Sequence, residues 1–243
     1  MNIVCKNCGR SFHKNYKYCP YCGQTAVVER LNFSEIFHDF FHAFIHTDKG
    51  IFLLLKKLTY KPGKIAREYI EGKRKKYFNP FSFLVLMVAV ALFFLTQFET
   101  LGIKYENVNA SNKEILHLSF KYFNLLVFIR CPINAFLLWI FFKKSKINYA
   151  EYFVLAAYLS GQEMFFYCIA AILFILFPSA ILIIGIVAGI LISLWFIIAL
   201  MQFLQNKSFG NLLKAILILL ISQSISQGLV YLFYFVYKQL NKS

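Results

Sequence analysis

The sequence predicts an all-α, polytopic membrane helical bundle of about five spans, carrying a small N-terminal zinc ribbon and interfacial amphipathic helices. Three observations predict it. Five apolar runs are each close to the ~20 residues that a helix needs to cross a bilayer. Four of the six cysteines fall in two Cys-x-x-Cys pairs near the N-terminus. Between ribbon and runs stands Lys73-Arg74-Lys75-Lys76-Tyr77-Phe78-Asn79-Pro80, four cations followed by two aromatics and then hydrocarbon. That is the order of a cytoplasmic membrane boundary: the cations stay with anionic headgroups and the rings sit at headgroup depth.

Composition agrees with this class. The chain is 59% hydrophobic, against about 45–50% apolar residues in a soluble domain. A net charge of +15 would suggest nucleic acid in a soluble protein, but here many cations flank apolar runs, which assigns them to orientation in the bilayer. The start of the chain has no apolar signal region, so the N-terminus is expected in the reducing cytosol, where paired cysteines point to metal instead of disulfides.

Residues 1–24 read as the ribbon. Cys5-Lys6-Asn7-Cys8-Gly9 and Cys19-Pro20-Tyr21-Cys22-Gly23 are matching knuckles whose four thiolates, Cys5, Cys8, Cys19 and Cys22, suit one structural tetrahedral Zn2+. A glycine after each second cysteine can take the positive φ such a turn needs. A rubredoxin-like iron site and a redox dithiol are the rival readings of the same thiolates.

Residues 25–78 read as a membrane-surface collar with the basic junction Lys73, Arg74, Lys75 and Lys76. After a short linker, Asn32 and Glu35 have capping-box spacing, and the aromatic and aliphatic residues that follow recur at helical spacing. The other face of that helix gathers Glu35, His38, Asp39, His42 and His46. Such a face can hold a second metal or titrate near neutrality, and it can equally be a polar face at headgroup level. Ile51–Leu55 is too short to cross, and Pro62-Gly63 opens a second short helix that Gly72 closes.

Lys61-Pro62-Gly63, Arg67-Glu68-Tyr69-Ile70-Glu71-Gly72-Lys73-Arg74 and Tyr77-Phe78-Asn79-Pro80-Phe81 resemble the signature of an uncharacterised bacterial membrane family, domain of unknown function 3667. The resemblance covers roughly the first 85 residues, the four ribbon cysteines included. It implies a bacterial inner-membrane protein with a cytosolic zinc ribbon, and it brings no activity.

Residues 79–243 read as the transmembrane bundle, with spans at 80–98, 122–142, 152–177, 180–204 and 212–237. Lys143, Lys144, Lys146 and Lys207 then fall inside, in accord with the positive-inside rule, and the C-terminus falls in the periplasm. Polar groups are costly inside spans and so mark candidate sites: Arg130, Gln162, Glu163, Gln223 and Gln227. Counted at 1.5 Å per residue, Arg130, Glu163 and Gln223 lie about 16–18 Å from the cytoplasmic ends, in one layer. An Arg130–Glu163 ion pair is the expectation. Gly185 and Gly189 form a Gly-x-x-x-Gly that permits close helix approach and a homo-oligomer.

There is no P-loop, nucleophile elbow, His-Glu-x-x-His or glycine-rich dinucleotide turn, so the reading leans away from an enzyme. It favours a non-enzymatic adaptor or scaffold whose ribbon and basic collar dock a protein partner at the cytosolic face. The alternative is a small transporter or channel component built on the intramembrane polar residues.

Overall fold

The computed structural model describes residues 1–32, 50–100, 118, 122–206 and 208–240. The histidine face, Glu35, His38, Asp39, His42 and His46, lies outside the described residues.

The N-terminal unit is a two-stranded antiparallel hairpin, β1 (Asn2–Val4) and β2 (Ser11–His13), with Ile3 opposite Phe12. Its core is Cys5, Phe12 and Cys19, with Ile3, Cys22 and Ala26 packed against them. So small a core cannot hold a fold by hydrophobic burial alone, and it needs a further clamp.

Five helices are long and apolar enough to cross a membrane: α3 (Pro80–Thr100), α4 (Phe123–Phe141), α5 (Tyr149–Leu176), α6 (Ile181–Leu204) and α7 (Phe209–Leu240). Helix α5 is the axis, packed against α3, α4 and α6. It starts three residues before its apolar run because Asn148 and Glu151 form a complete capping box. Gly161 lets α3 approach closely: a Cβ there would meet the Phe83 ring at 2.6 Å. The outer faces of α6 and α7 expose large aliphatic side chains such as Leu182, Ile190 and Leu220, as a lipid-facing helix does.

Two short helices precede the bundle, α1 (Ile51–Tyr60) and α2 (Pro62–Ile70). The sequence reading places them in a membrane-surface collar; the structure buries one face of each in the bundle. Leu54, Leu58, Ile65, Ala66 and Tyr69 belong to the same core as the long helices. An amphipathic pattern fixes which face is apolar, not whether that face meets lipid or protein. Gly63 is the closest approach, since a Cβ there would lie 2.1 Å from the Ala199 carbonyl oxygen.

Candidate functional site

The first candidate is the cysteine cluster. The two knuckles close with the same pair of hydrogen bonds. Cys5 N–H donates to the Arg10 carbonyl and Gly9 N–H to the Cys5 carbonyl; Cys19 N–H donates to the Gln24 carbonyl and Gly23 N–H to the Cys19 carbonyl. Gly9 (φ 74°) and Gly23 (φ 70°) take the left-handed conformation expected of them. The sulfurs of Cys5, Cys8, Cys19 and Cys22 all lie within 4.8 Å of one another. Cys5 to Cys22 is 3.6 Å and Cys8 to Cys19 is 3.7 Å. Tetrahedral thiolates at about 2.3 Å from a metal stand about 3.8 Å apart, so the cluster fits one metal ion with all four positions filled by sulfur. Burial opposes ionisation of Cys22, but hydrogen bonds from the Asn7 side chain and the Gln24 backbone outweigh it and hold the thiol down to about 6.

The ribbon is seated on the collar and bundle. Lys75 N–H donates to the Gln24 side-chain oxygen at 3.1 Å, and Arg74 to the Glu29 carbonyl at 2.7 Å. Gly72, at φ 112°, leaves room for Val28, whose Cγ1 would lie 2.8 Å from a Cβ there. Arg30 forms a bidentate pair with Glu151, both bonds 2.9 Å. Asn148 donates to the Leu31 carbonyl. The first turn of α5 thus holds the linker.

The basic junction is a 3-10 turn, Arg74–Lys76. Expected to face anionic lipid, its cations also have protein partners. Lys73 and Lys76 reach Glu68 at 3.4 and 3.2 Å. Burial would raise the Glu68 carboxyl, but the Tyr77 hydroxyl, Lys76 and Lys73 outweigh it and hold the group at about 2.

The second candidate lies among the long helices. Arg130 of α4 pairs with Glu163 of α5, and the Tyr167 hydroxyl donates to the other Glu163 oxygen at 2.9 Å. Gln223 of α7 lines a small cavity with this pair, and Asn134, Ser160 and Ser222 are among the polar residues of its otherwise mostly apolar wall. Its volume of about 30 Å³ is room for a water molecule. Ser222 donates to Asn134 Oδ1 at 2.6 Å, both side chains buried, which ties α7 to α4. Composition gave no reason to single out Asn134 and Tyr167. Helix spacing could have done so, because each lies one turn beyond a charged partner on the same face.

Gln162 does not join this layer. Its amide donates to Thr59 of α1 at 3.0 Å, on another side of α5. Adjacent helical residues point about 100° apart, so Gln162 and Glu163 cannot serve one site. Trp195 Nε1 donates to the Leu58 and Thr59 carbonyls at 3.2 and 3.1 Å, and Gln202 to the Tyr60 carbonyl at 3.3 Å. Three side chains from the long helices therefore fasten the end of α1.

Beyond the ion pair opens a cavity of about 720 Å³. All five long helices line it, in the halves remote from the ribbon: Phe94 of α3, Val127 of α4, Phe174 of α5 and Val230 of α7 are representative. Arg130, Gln223 and Gln227 stand on its wall. Gly185 and Gly189 line this cavity, and no heavy atom lies within 4 Å of a Cβ built on Gly189. Their missing side chains widen it.

No curated protein and no solved structure matches the chain. A family model matches residues 48–94, which span α1, α2, the basic junction and most of α3. The ribbon lies outside that match. Over the segment that fastens the short helices to the long ones, the chain matches the uncharacterised family described as Protein of unknown function (DUF3667), the family that its junction residues resemble.

Proposed function

We propose that this is a multi-pass protein of the bacterial inner membrane that binds a small amphiphile between its long helices, as a transporter component. The observation that carries the reading is the cavity of about 720 Å³, mostly apolar, with Arg130, Gln223 and Gln227 on its wall. Cavities of several hundred Å³ with few polar groups are the usual form of a small-molecule site, and polar groups at membrane depth are retained for a reason. The closed four-cysteine cluster serves as a structural zinc site, and the ribbon with α1 and α2 seals the cytosolic side. The N-terminus is cytosolic and the C-terminus periplasmic; a membrane-impermeant thiol reagent that labels the demetallated ribbon from outside would reverse this orientation.

The test is extraction and mass spectrometry of apolar molecules that copurify with the full chain. Gly189→Leu, which places a bulky side chain on the cavity wall, is expected to reduce the copurifying amphiphile while leaving the folded fraction unchanged. An unaltered lipid profile would sink the proposal.

One observation favours a second reading as adaptor. Tyr16, Tyr18 and Tyr21 of the ribbon are each more than half exposed, with Arg10 over the Tyr21 ring at 4.9 Å. Exposed aromatics beside an arginine are the composition of protein interfaces. Crosslinking in native membranes should then capture one protein partner that a Tyr16→Ser/Tyr18→Ser/Tyr21→Ser variant loses.

A further inference from the structure

We infer that the occupant of the large cavity carries no net charge: it is an amphiphile with a hydrocarbon body and a hydroxyl, carbonyl or amide head. The inference rests on the binding role proposed above and specifies its ligand.

Charge comes first. Among the described residues, Arg130 is the only charged side chain on the wall of the large cavity, and Glu163 already neutralises it. An anionic head would have to break that pair or lie beside a carboxylate, and a cationic head would meet the guanidinium. In a low-dielectric site either arrangement leaves an uncompensated charge, which costs more than the new contact returns. A neutral head meets neither difficulty.

Hydrogen bonding then selects the head. Gln223 and Gln227 are one turn apart on α7 and both are exposed to the cavity. Among the described residues neither amide has a hydrogen-bond partner, whereas Ser193 and Ser226 on the same wall are satisfied by carbonyls of their own helices. Each amide offers two donors and a carbonyl, so the site asks for a head that both accepts and donates, or that accepts from two directions. Apart from Tyr167 and Cys168, the remaining wall is apolar, including Ala91, Met164 and Ala171, with Gly185, Ala188 and Gly189 giving a smooth face on α6. That surface suits an alkyl or isoprenoid chain.

The experiment compares two probes that differ only at the head. A chain-labelled fluorescent monoacylglycerol and the matching fatty acid are titrated into full-length protein in phosphatidylcholine nanodiscs, at about pH 9.5, above the raised pKa of a bilayer-bound carboxylic acid, so that the acid is ionised. The monoacylglycerol should saturate with a Kd at least about tenfold below that of the acid. Gln223→Leu/Gln227→Leu should weaken it at least about tenfold. Glu163→Gln, which leaves Arg130 unneutralised, should shift the preference toward the acid. Size exclusion confirms folding, and the glutamine variant carries the test alone where Glu163→Gln does not fold. Equal or tighter binding of the fatty acid by the native chain, or indifference to the glutamine change, overturns the inference and leaves the binding role standing. Absence of saturable binding by both probes overturns the binding role as well.

Discussion

The side-chain amide of Gln162 donates to the hydroxyl of Thr59 at 3.0 Å, joining residues 103 positions apart. The same hydroxyl donates to the Leu55 carbonyl, so a chain of two hydrogen bonds joins α1 to α5, while the buried Oε1 of Gln162 has no partner among the described residues. Thr59→Val should lower stability by about 1–2 kcal/mol, because it strands the buried Gln162 amide; Gln162→Leu should cost less, since the Thr59 hydroxyl keeps its bond to Leu55 and the unpartnered Oε1 is removed. The double change should cost less than their sum, with a coupling of about 0.6–1.5 kcal/mol. Thermal unfolding of the four proteins in one detergent measures it, and strict additivity would mean that the bond contributes nothing.

Gly63 and Gly210 make a matched pair. A methyl at Gly63 would press on the backbone of α6 at Ala199 and Phe203, whereas one at Gly210 meets nothing within 4 Å. Gly63→Ala should destabilise by about 1–3 kcal/mol or more, since backbone cannot give way as a side chain can. Gly210→Ala should be neutral or slightly stabilising, as expected for a glycine replaced in an open helical turn. Similar unfolding midpoints for the two variants would contradict the close crossing.

Arg130 and Glu163 should behave as a unit. Arg130→Leu or Glu163→Leu alone leaves one charge unpaired and should cost about 3–5 kcal/mol. The double replacement should recover much of that loss. A double variant no better folded than either single one would show that the two side chains do not interact.

Elemental analysis of the purified chain should give one metal ion per molecule, zinc, held by Cys5, Cys8, Cys19 and Cys22. Cys8→Ser or prolonged chelation should release it and, because metal and ribbon fold together, expose the linker around Val27–Leu31 to protease. Iron in place of zinc would identify a different site chemistry, and two ions per chain would implicate the histidine face.

Glu68 gives a pH dependence with a definite sign. Its folded carboxyl titrates at about 2, below the ordinary 4.5. The stabilisation is therefore present above about pH 4.5 and is lost as pH falls toward 2. The difference in unfolding midpoint between native chain and Glu68→Gln should be largest above pH 4.5 and shrink steadily below it. A difference that does not change with pH would show that the carboxylate contributes no charge-dependent stability.

Much of this arrangement was legible in the residues, and the parts that were not have physical reasons. The five long helices could be read because lipid demands about 20 apolar residues in a row. The ribbon could be read because four sulfurs at those spacings suit one metal. The Arg130–Glu163 pair followed from counting rise along two antiparallel helices. Grouping Gln162 with the other polar residues of the spans did not separate it from them, because polarity within a span says nothing of azimuth and Gln162 points about 100° away from Glu163. The burial of α1 and α2 was also hidden, since Leu54 and Leu58 would show the same spacing against a bilayer. Gly185 and Gly189 carry a motif for close packing, yet the pattern does not say whether the space beside a glycine is filled by a helix or left open.

The seat of the ribbon has a consequence for synthesis. Arg30 and Glu151 are 121 residues apart, so the head leaves the ribosome long before the turn that receives it exists. A nascent chain halted ahead of Asn148 would leave the knuckles swinging on their tether, and only synthesis of the first turn of α5 would bring them to rest.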